Sequence, residues 1–158
     1  MGKTYCAMFN GIPLKIHMEN GIITKIDFAK RCKSEDKTLS EKITAFWKGD
    51  RTAVKYFVEA KRDLKLIFRK VQEIPLGKVS SYGGVSKAIF GNTHYARLVG
   101  YAMRINPLPI IIPCHRVVKS NGEIGGFGGG IKTKIKLLKA EGVKVENGRI
   151  APVYFADL

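Results

Sequence analysis

Hydrophobic and polar positions alternate through the first part of the chain. IPLKIHME (12–19) keeps the strictest period of two, and TYCAMF (4–9) and IITKIDFA (22–29) read as its neighbours. Such alternation predicts half-buried strands. The breaks fall at Asn10-Gly11 and Asn20-Gly21, the dipeptide best suited to the positive φ angles of a two-residue hairpin. A three-stranded meander is expected. After the polar loop RCKSEDK the pattern changes to a helical one over TLSEKITAFWKG, with Thr38 or Ser40 as N-cap and Gly49 as stop. TAVKYFVE has strand character. Residues 1–60 therefore read as a small α/β domain on an antiparallel sheet.

From residue 61 the pattern is helical and heavily punctuated. Leu64, Ile67, Phe68, Val71 and Ile74 share one helical face, and Pro75 ends it. SSYGGVSKAIF is a short helix capped by Ser80 or Ser81. Gly91-Asn92-Thr93 makes a turn before a second short helix, HYARLVGYAMRI, and together they give the helix-turn-helix pattern. Pro107, Pro109 and Pro113 exclude helix from NPLPIIIPCHRVV and predict a stiff, extended path. The glycine run GGFGGG (125–130) precedes a last helix, TKIKLLKAEG, that stops at Gly142. A final hairpin turns at Asn147-Gly148.

Charge changes the picture. Lys and Arg number 28 against 13 acidic residues in the 158-residue chain. Residues 61–142 hold 15 basic and 4 acidic side chains, a net of +11, whereas residues 1–60 reach only +4. Positive charge concentrated around a helix-turn-helix suggests a polyanion such as the phosphate backbone of nucleic acid, or else a lysine-rich solvated surface. No apolar run reaches the roughly 20 residues of a membrane span, and MGKTYCAMFNG lacks a signal-peptide pattern. An intracellular protein is the expectation.

Three cysteines have no CxxC-type spacing. Cys6 and Cys32 are read first as small core residues, with a mutual disulfide, or a metal site with His17, as the alternatives. Cys114 keeps different company. In Pro113-Cys114-His115-Arg116 a thiol has both a base and a cation beside it, the two things that favour a nucleophilic thiolate. On an extended strand, however, neighbours point to opposite faces.

Ala96-Arg97, Val99-Gly100, Ala102-Met103-Arg104, Asn106-Pro107 and Ile110 through Val118 closely resemble the 6-O-alkylguanine–DNA alkyltransferases, the methylated-DNA–protein-cysteine methyltransferases. The resemblance runs from about Leu64 to Gly142 and takes in Ser81-Tyr82-Gly83 and Leu137 through Gly142. It implies a ribonuclease H-like α/β domain over 1–60. Over 61–158 it implies a mostly helical, winged-helix-like domain that binds DNA and accepts the alkyl group.

The resemblance also implies roles. Cys114 matches the acceptor that takes the alkyl group from guanine, or from 4-O-alkylthymine, and is used up. His115 matches its base, acting through a water, and Glu141 the carboxylate that orients His115. Tyr82 matches the proton donor to the departing base, Lys134 an assisting lysine, and Asn106 the tie between recognition helix and cysteine segment. Because the target atom lies inside the duplex, the nucleotide must be flipped out. Arg97 matches the finger filling the gap, with Ala96, Gly100, Ser81, Tyr82, Arg104 and Arg116 along the minor groove. Phe127, Gly128, Gly129 and Val117 match the pocket for the flipped base. Phe127 stands where the family often has tyrosine, and Gly128 where it often has serine. Contact with double-stranded DNA is expected to be sequence-independent and made by a monomer, in the cytoplasm or a eukaryotic nucleus, without metal or organic cofactor. A cysteine hydrolase built on Cys114 and His115, or a helix-turn-helix lesion sensor that transfers nothing, remains the alternative.

Overall fold

The computed structural model describes residues 2–158 as two compact units, residues 2–59 with 107–111 and residues 60–106 with 112–158.

In the first unit the alternating pattern becomes the antiparallel sheet β1 (Gly2–Phe9), β2 (Ile12–Glu19) and β3 (Ile22–Phe28), in that order. Both hairpins turn as expected, Asn10 and Gly11 at φ 46° and 74°, Asn20 and Gly21 at 50° and 77°. The inner face presents Ala7, Phe9, Leu14, Ile16 and Ile26. Helix α1 (Lys37–Trp47) covers it with Leu39, Ile43 and Phe46. The cap is Asp36, two residues before Thr38 and four before Ser40, because Asp36 Oδ1 accepts from the Leu39 N–H at 2.9 Å. An aspartate just ahead of Thr38 is the stronger N-cap in this position. TAVKYFVE forms no strand. Only Tyr56 makes an isolated bridge, to Ile23. The expectation for the cysteines is also corrected. The loop after β3 folds back on β1, where the Asp36 N–H donates to Cys6 O, and Cys6 is joined to Cys32 by a disulfide. Sequence spacing does not register that return path.

The second unit begins with α2 (Arg62–Gln72), whose Ile67, Phe68 and Val71 are buried. Strand β4 (Ser80–Ser81) leads into α3 (Tyr82–Phe90), capped by Ser81 Oγ, which accepts from the Gly84 N–H at 2.8 Å. Gly91, at φ 78°, closes α3, and α4 (Ala96–Arg104) packs across it. The path through the prolines is not extended throughout, contrary to the expectation from sequence. Ile110 has φ 76°, and Cys114–Arg116 form a single 3₁₀ turn before strand β5 (Val117–Val118), which pairs in parallel with β4. Helix α5 (Ile131–Ala140) follows the glycine run. A core of Val79, Val118, Ile124, Leu138, Val143 and Ile150 fixes β5 against α5 and the closing turn at Asn147-Gly148. Among the described residues no helix is long and apolar enough to cross a membrane.

Candidate active site

The 3₁₀ turn decides where the cysteine points. On a strand, Cys114 and His115 would face opposite ways. The turn instead buries Cys114, His115 and Arg116 together. The turn is tied down by the Cys114 N–H donating to Ile112 O at 2.7 Å and by Asn106 Nδ2 donating to the same carbonyl at 2.9 Å. Asn106 thus joins the end of α4 to the cysteine segment.

Cys114 forms part of the wall of a pocket of about 460 Å³, together with Tyr82, Gly100, Met103, Arg104, Gly126, Phe127 and Gly128. These walls are mostly apolar, the usual make-up of a small-molecule or base site. Burial pushes the Cys114 thiol up, while a hydrogen bond from Asn106 and the charge of Lys134 pull it back only in part. The resting sulfur is a thiol.

Beneath it lies a buried charge cluster. His115 Nε2 and Glu141 Oε1 are 2.7 Å apart, with both side chains out of solvent. Arg116 donates to both oxygens of Glu141, from Nε at 2.9 and 3.1 Å and from Nη2 at 2.8 Å, and from Nη1 to Ile74 O at 2.8 Å. Burial alone would raise the Glu141 carboxyl, but the bonds from His115 and Arg116 overcome it and hold the group down at about 2. For His115 the balance runs the other way. Burial lowers it against the upward pull of Glu141, so the imidazole is neutral near pH 7. With Nε2–H donating to the carboxylate, Nδ1 keeps its lone pair, and it has no hydrogen-bond partner among the described residues. A neutral imidazole with a free basic nitrogen next to a buried thiol can act as a general base.

Two further side chains are set by α5 and the glycine run. Lys134 is fully buried and donates from Nζ to Val117 O, Ile124 O and Gly126 O at 2.7, 2.6 and 3.3 Å. Burial lowers it to about 8. It pins the loop carrying Phe127 to β5. Tyr82 stands over the pocket with its phenol raised by burial first, and further by Cys114 once that sulfur is ionised, so it stays protonated at neutral pH. A Cβ at Gly125, which has φ 77°, would lie 2.9 Å from the Tyr82 hydroxyl. Only glycine admits that approach. At Gly128 a Cβ would meet nothing within 4 Å, so packing does not forbid a serine there.

Most predicted site residues converge in this unit, and three do not fit their expected places. Arg116 is 4% exposed and its guanidinium is committed to Glu141 and Ile74, which removes it from any DNA-facing surface. Val117 is fully buried and offers only its carbonyl, to Lys134, and neither it nor Gly129 lines the pocket. Sequence reasoning missed Met103 and Gly126 as lining residues. The signal for Arg116 was present: an arginine inside a buried apolar stretch needs a buried counter-ion, and residues 61–142 hold only 4 acidic side chains. Arg97 is exposed on α4, Ala96 and Gly100 are half-buried beside it, and Arg104 reaches both solvent and pocket.

Comparisons with known proteins point to one family. A family model described as the DNA-binding domain of 6-O-methylguanine DNA methyltransferase matches residues 64–143. A methylated-DNA–protein-cysteine methyltransferase of Methanosarcina acetivorans is 38% identical over 105 residues, 65% of this chain and 67% of that protein. The human protein of the same name is 45% identical over 78 residues, 49% of this chain but 37% of its own length. The crystal structure of Mycobacterium tuberculosis OGT in complex with DNA superposes with a TM-score of 0.73 at 26% identity, covering 87% of this chain and 91% of that one. The chain belongs to the 6-O-methylguanine DNA methyltransferase (methylated-DNA–protein-cysteine methyltransferase) family.

Proposed function

We propose that this protein repairs DNA by direct reversal, moving the alkyl group of a 6-O-alkylguanine onto Cys114 Sγ and remaining alkylated afterwards. The observation that carries it is the free, buried Cys114 thiol in the wall of an apolar pocket, with the neutral His115 and ionised Glu141 beside it. A flipped guanine enters between Tyr82 and Phe127. His115 Nδ1 takes the thiol proton, directly or through one water, and Glu141 orients and steadies the imidazolium that forms. The sulfur–carbon bond forms as the carbon–oxygen bond breaks, and Tyr82 supplies a proton to the departing base. Lys134 holds the Phe127 loop and adds positive charge near the sulfur, and Gly128 leaves space beside the lesion. Because the product is a thioether, one protein removes one lesion.

DNA reaches the pocket along α4. A relative from Mycobacterium tuberculosis has a crystal structure in complex with DNA, and in this protein α4 presents Arg97 beside the small residues Ala96 and Gly100. Arg97 fills the space left by the flipped nucleotide, and Ser81, Tyr82 and Arg104 border the entry. Residues 61–158 carry both DNA contact and alkyl acceptance, as a monomer on double-stranded DNA, in the cytoplasm or a nucleus.

The test is the intact mass of the protein after mixing with a duplex carrying one 6-O-methylguanine. One added methyl on Cys114, absent from Cys114→Ala, is the expected result. Lesion binding without mass gain would instead make this a damage sensor, and repeated turnover would make it a hydrolase.

A further inference from the structure

The solvent face of α4 carries more than Arg97. Residues 97, 101 and 104 follow one another at spacings of four and three, which places them along one side of the helix, and all three are exposed. Tyr101 keeps 44% of its surface in solvent. A single exposed aromatic is ordinary on a protein surface. Its neighbour makes this one different. Arg104 lines the pocket that holds Cys114, and its guanidinium carbon also lies 5.5 Å from the centre of the Tyr101 ring, within cation–π range. The ring therefore rests against a residue that lines the pocket, one helical turn on from Arg97.

A flipped nucleotide leaves two neighbouring base pairs without a stacking partner, and an apolar side chain entering from the minor groove restores part of that contact. We propose that Tyr101 is a second residue of α4 to enter the DNA. Its ring packs on the sugar and base edges beside the vacated position, while Arg104, braced on the ring, reaches the flanking phosphate. This rests on the alkyl-transfer function above and deepens it. Arg97 and Tyr101 form a polar and an apolar contact one helical turn apart, so the duplex is held open at two adjacent points. A tyrosine suits the task because its large contact area is fixed by only two side-chain torsions.

The experiment measures second-order transfer rates for full-length wild type, Tyr101→Ala, Tyr101→Phe and Arg104→Ala. The substrates are a duplex and a single strand carrying the same 6-O-methylguanine. Binding to undamaged duplex is followed against salt. Tyr101→Ala should slow the duplex reaction about tenfold and the single-strand reaction by a clearly smaller factor, and Tyr101→Phe should restore both. Its salt slope should match wild type, whereas Arg104→Ala should flatten that slope by about one. A duplex rate within twofold of wild type for Tyr101→Ala overturns the proposal, as does an equal loss on both substrates. Wild-type protein that transfers nothing from either substrate would sink alkyl transfer itself, and Tyr101's role with it.

Discussion

Each unit pairs a histidine with a carboxylate: His17 with Asp27 in the first, at 2.9 Å, and His115 with Glu141 in the second, at 2.7 Å. The distances are nearly the same, but the surroundings are not. The first pair keeps 33% and 41% of its side-chain surface in water, the second 1% and 0%. Water screens the first pair until little interaction is left. In the second, burial makes the carboxylate costly unless it is fully bonded, and Arg116 and His115 both bond it. The cysteines divide the same way. Cys6 is tied to Cys32, whereas Cys114 is a free thiol in a pocket wall. Residue type and spacing are therefore poor guides to chemistry until burial and third partners are known.

The largest expected effect comes from turning the buried pair into something like the exposed one. Glu141→Gln keeps the shape but removes the charge. His115 keeps an amide oxygen to donate to but loses the negative charge that steadies its imidazolium, and the transfer rate should fall about a hundredfold. Arg116 is left buried without its counter-ion, at a cost of about 3–5 kcal/mol in unfolding free energy. Single-turnover rates and urea melts read the two effects separately. The pH dependence has a definite sign. The folded carboxyl lies at about 2, below the usual carboxylate range, so its contribution is complete above about pH 4.5 and is lost as pH falls toward 2. Wild type should lose stability over that window more steeply than Glu141→Gln. Parallel acid limbs would mean that Glu141 is not held as an anion.

Much of this contrast is legible in the sequence, and the missing part has a physical cause. The meander is legible because its sheet has one buried and one wet face, which writes a period of two, and because Asn-Gly marks each turn. Cys114, His115, Asn106, Tyr82 and Glu141 are legible through their resemblance to a family. What fails is whatever depends on the return path of the chain. TAVKYFVE has strand-forming residues, but only Tyr56 finds a partner. The prolines do exclude helix from 107–113, yet the segment bends at Ile110 and ends in the 3₁₀ turn that brings Cys114 and His115 into one cluster. Arg116 looks like one more cation in a basic domain until Glu141, 25 residues on, is seen to meet it. The Cys6–Cys32 bond needs a loop to fold back across β1, and no local pattern encodes that.

That disulfide supplies the intermediate effect. It closes a loop with a sequence separation of 26 in the first unit, and a cross-link of that span stabilises a fold by about 3.5 kcal/mol on the chain-entropy account. Cys6→Ser with Cys32→Ser should lower the denaturant midpoint accordingly. The transfer rate, measured well below the melting range, should stay close to wild type, because every group in the pocket belongs to the second unit. A rate that fell in step with stability would show that the first unit helps to shape the pocket.

The smallest effect belongs to the exposed pair. Asp27→Asn removes one carboxylate from His17 and also from Lys25, which lies 3.4 Å from Asp27 Oδ1. Both contacts sit on the wet face of the sheet, where paired charges are worth roughly 0–1 kcal/mol and less as salt rises. The Asn side chain still offers an oxygen to His17 Nε2, so most of the hydrogen bond survives. Unfolding free energy should change by less than about 0.5 kcal/mol, the small difference should shrink further in high salt, and the transfer rate should not move. The same chemical change, carboxylate to amide beside a histidine, would then be nearly silent in one unit and severe in the other. A loss at Asp27 as large as that at Glu141 would overturn burial as the reason, and would point to a task for the outer face of the sheet.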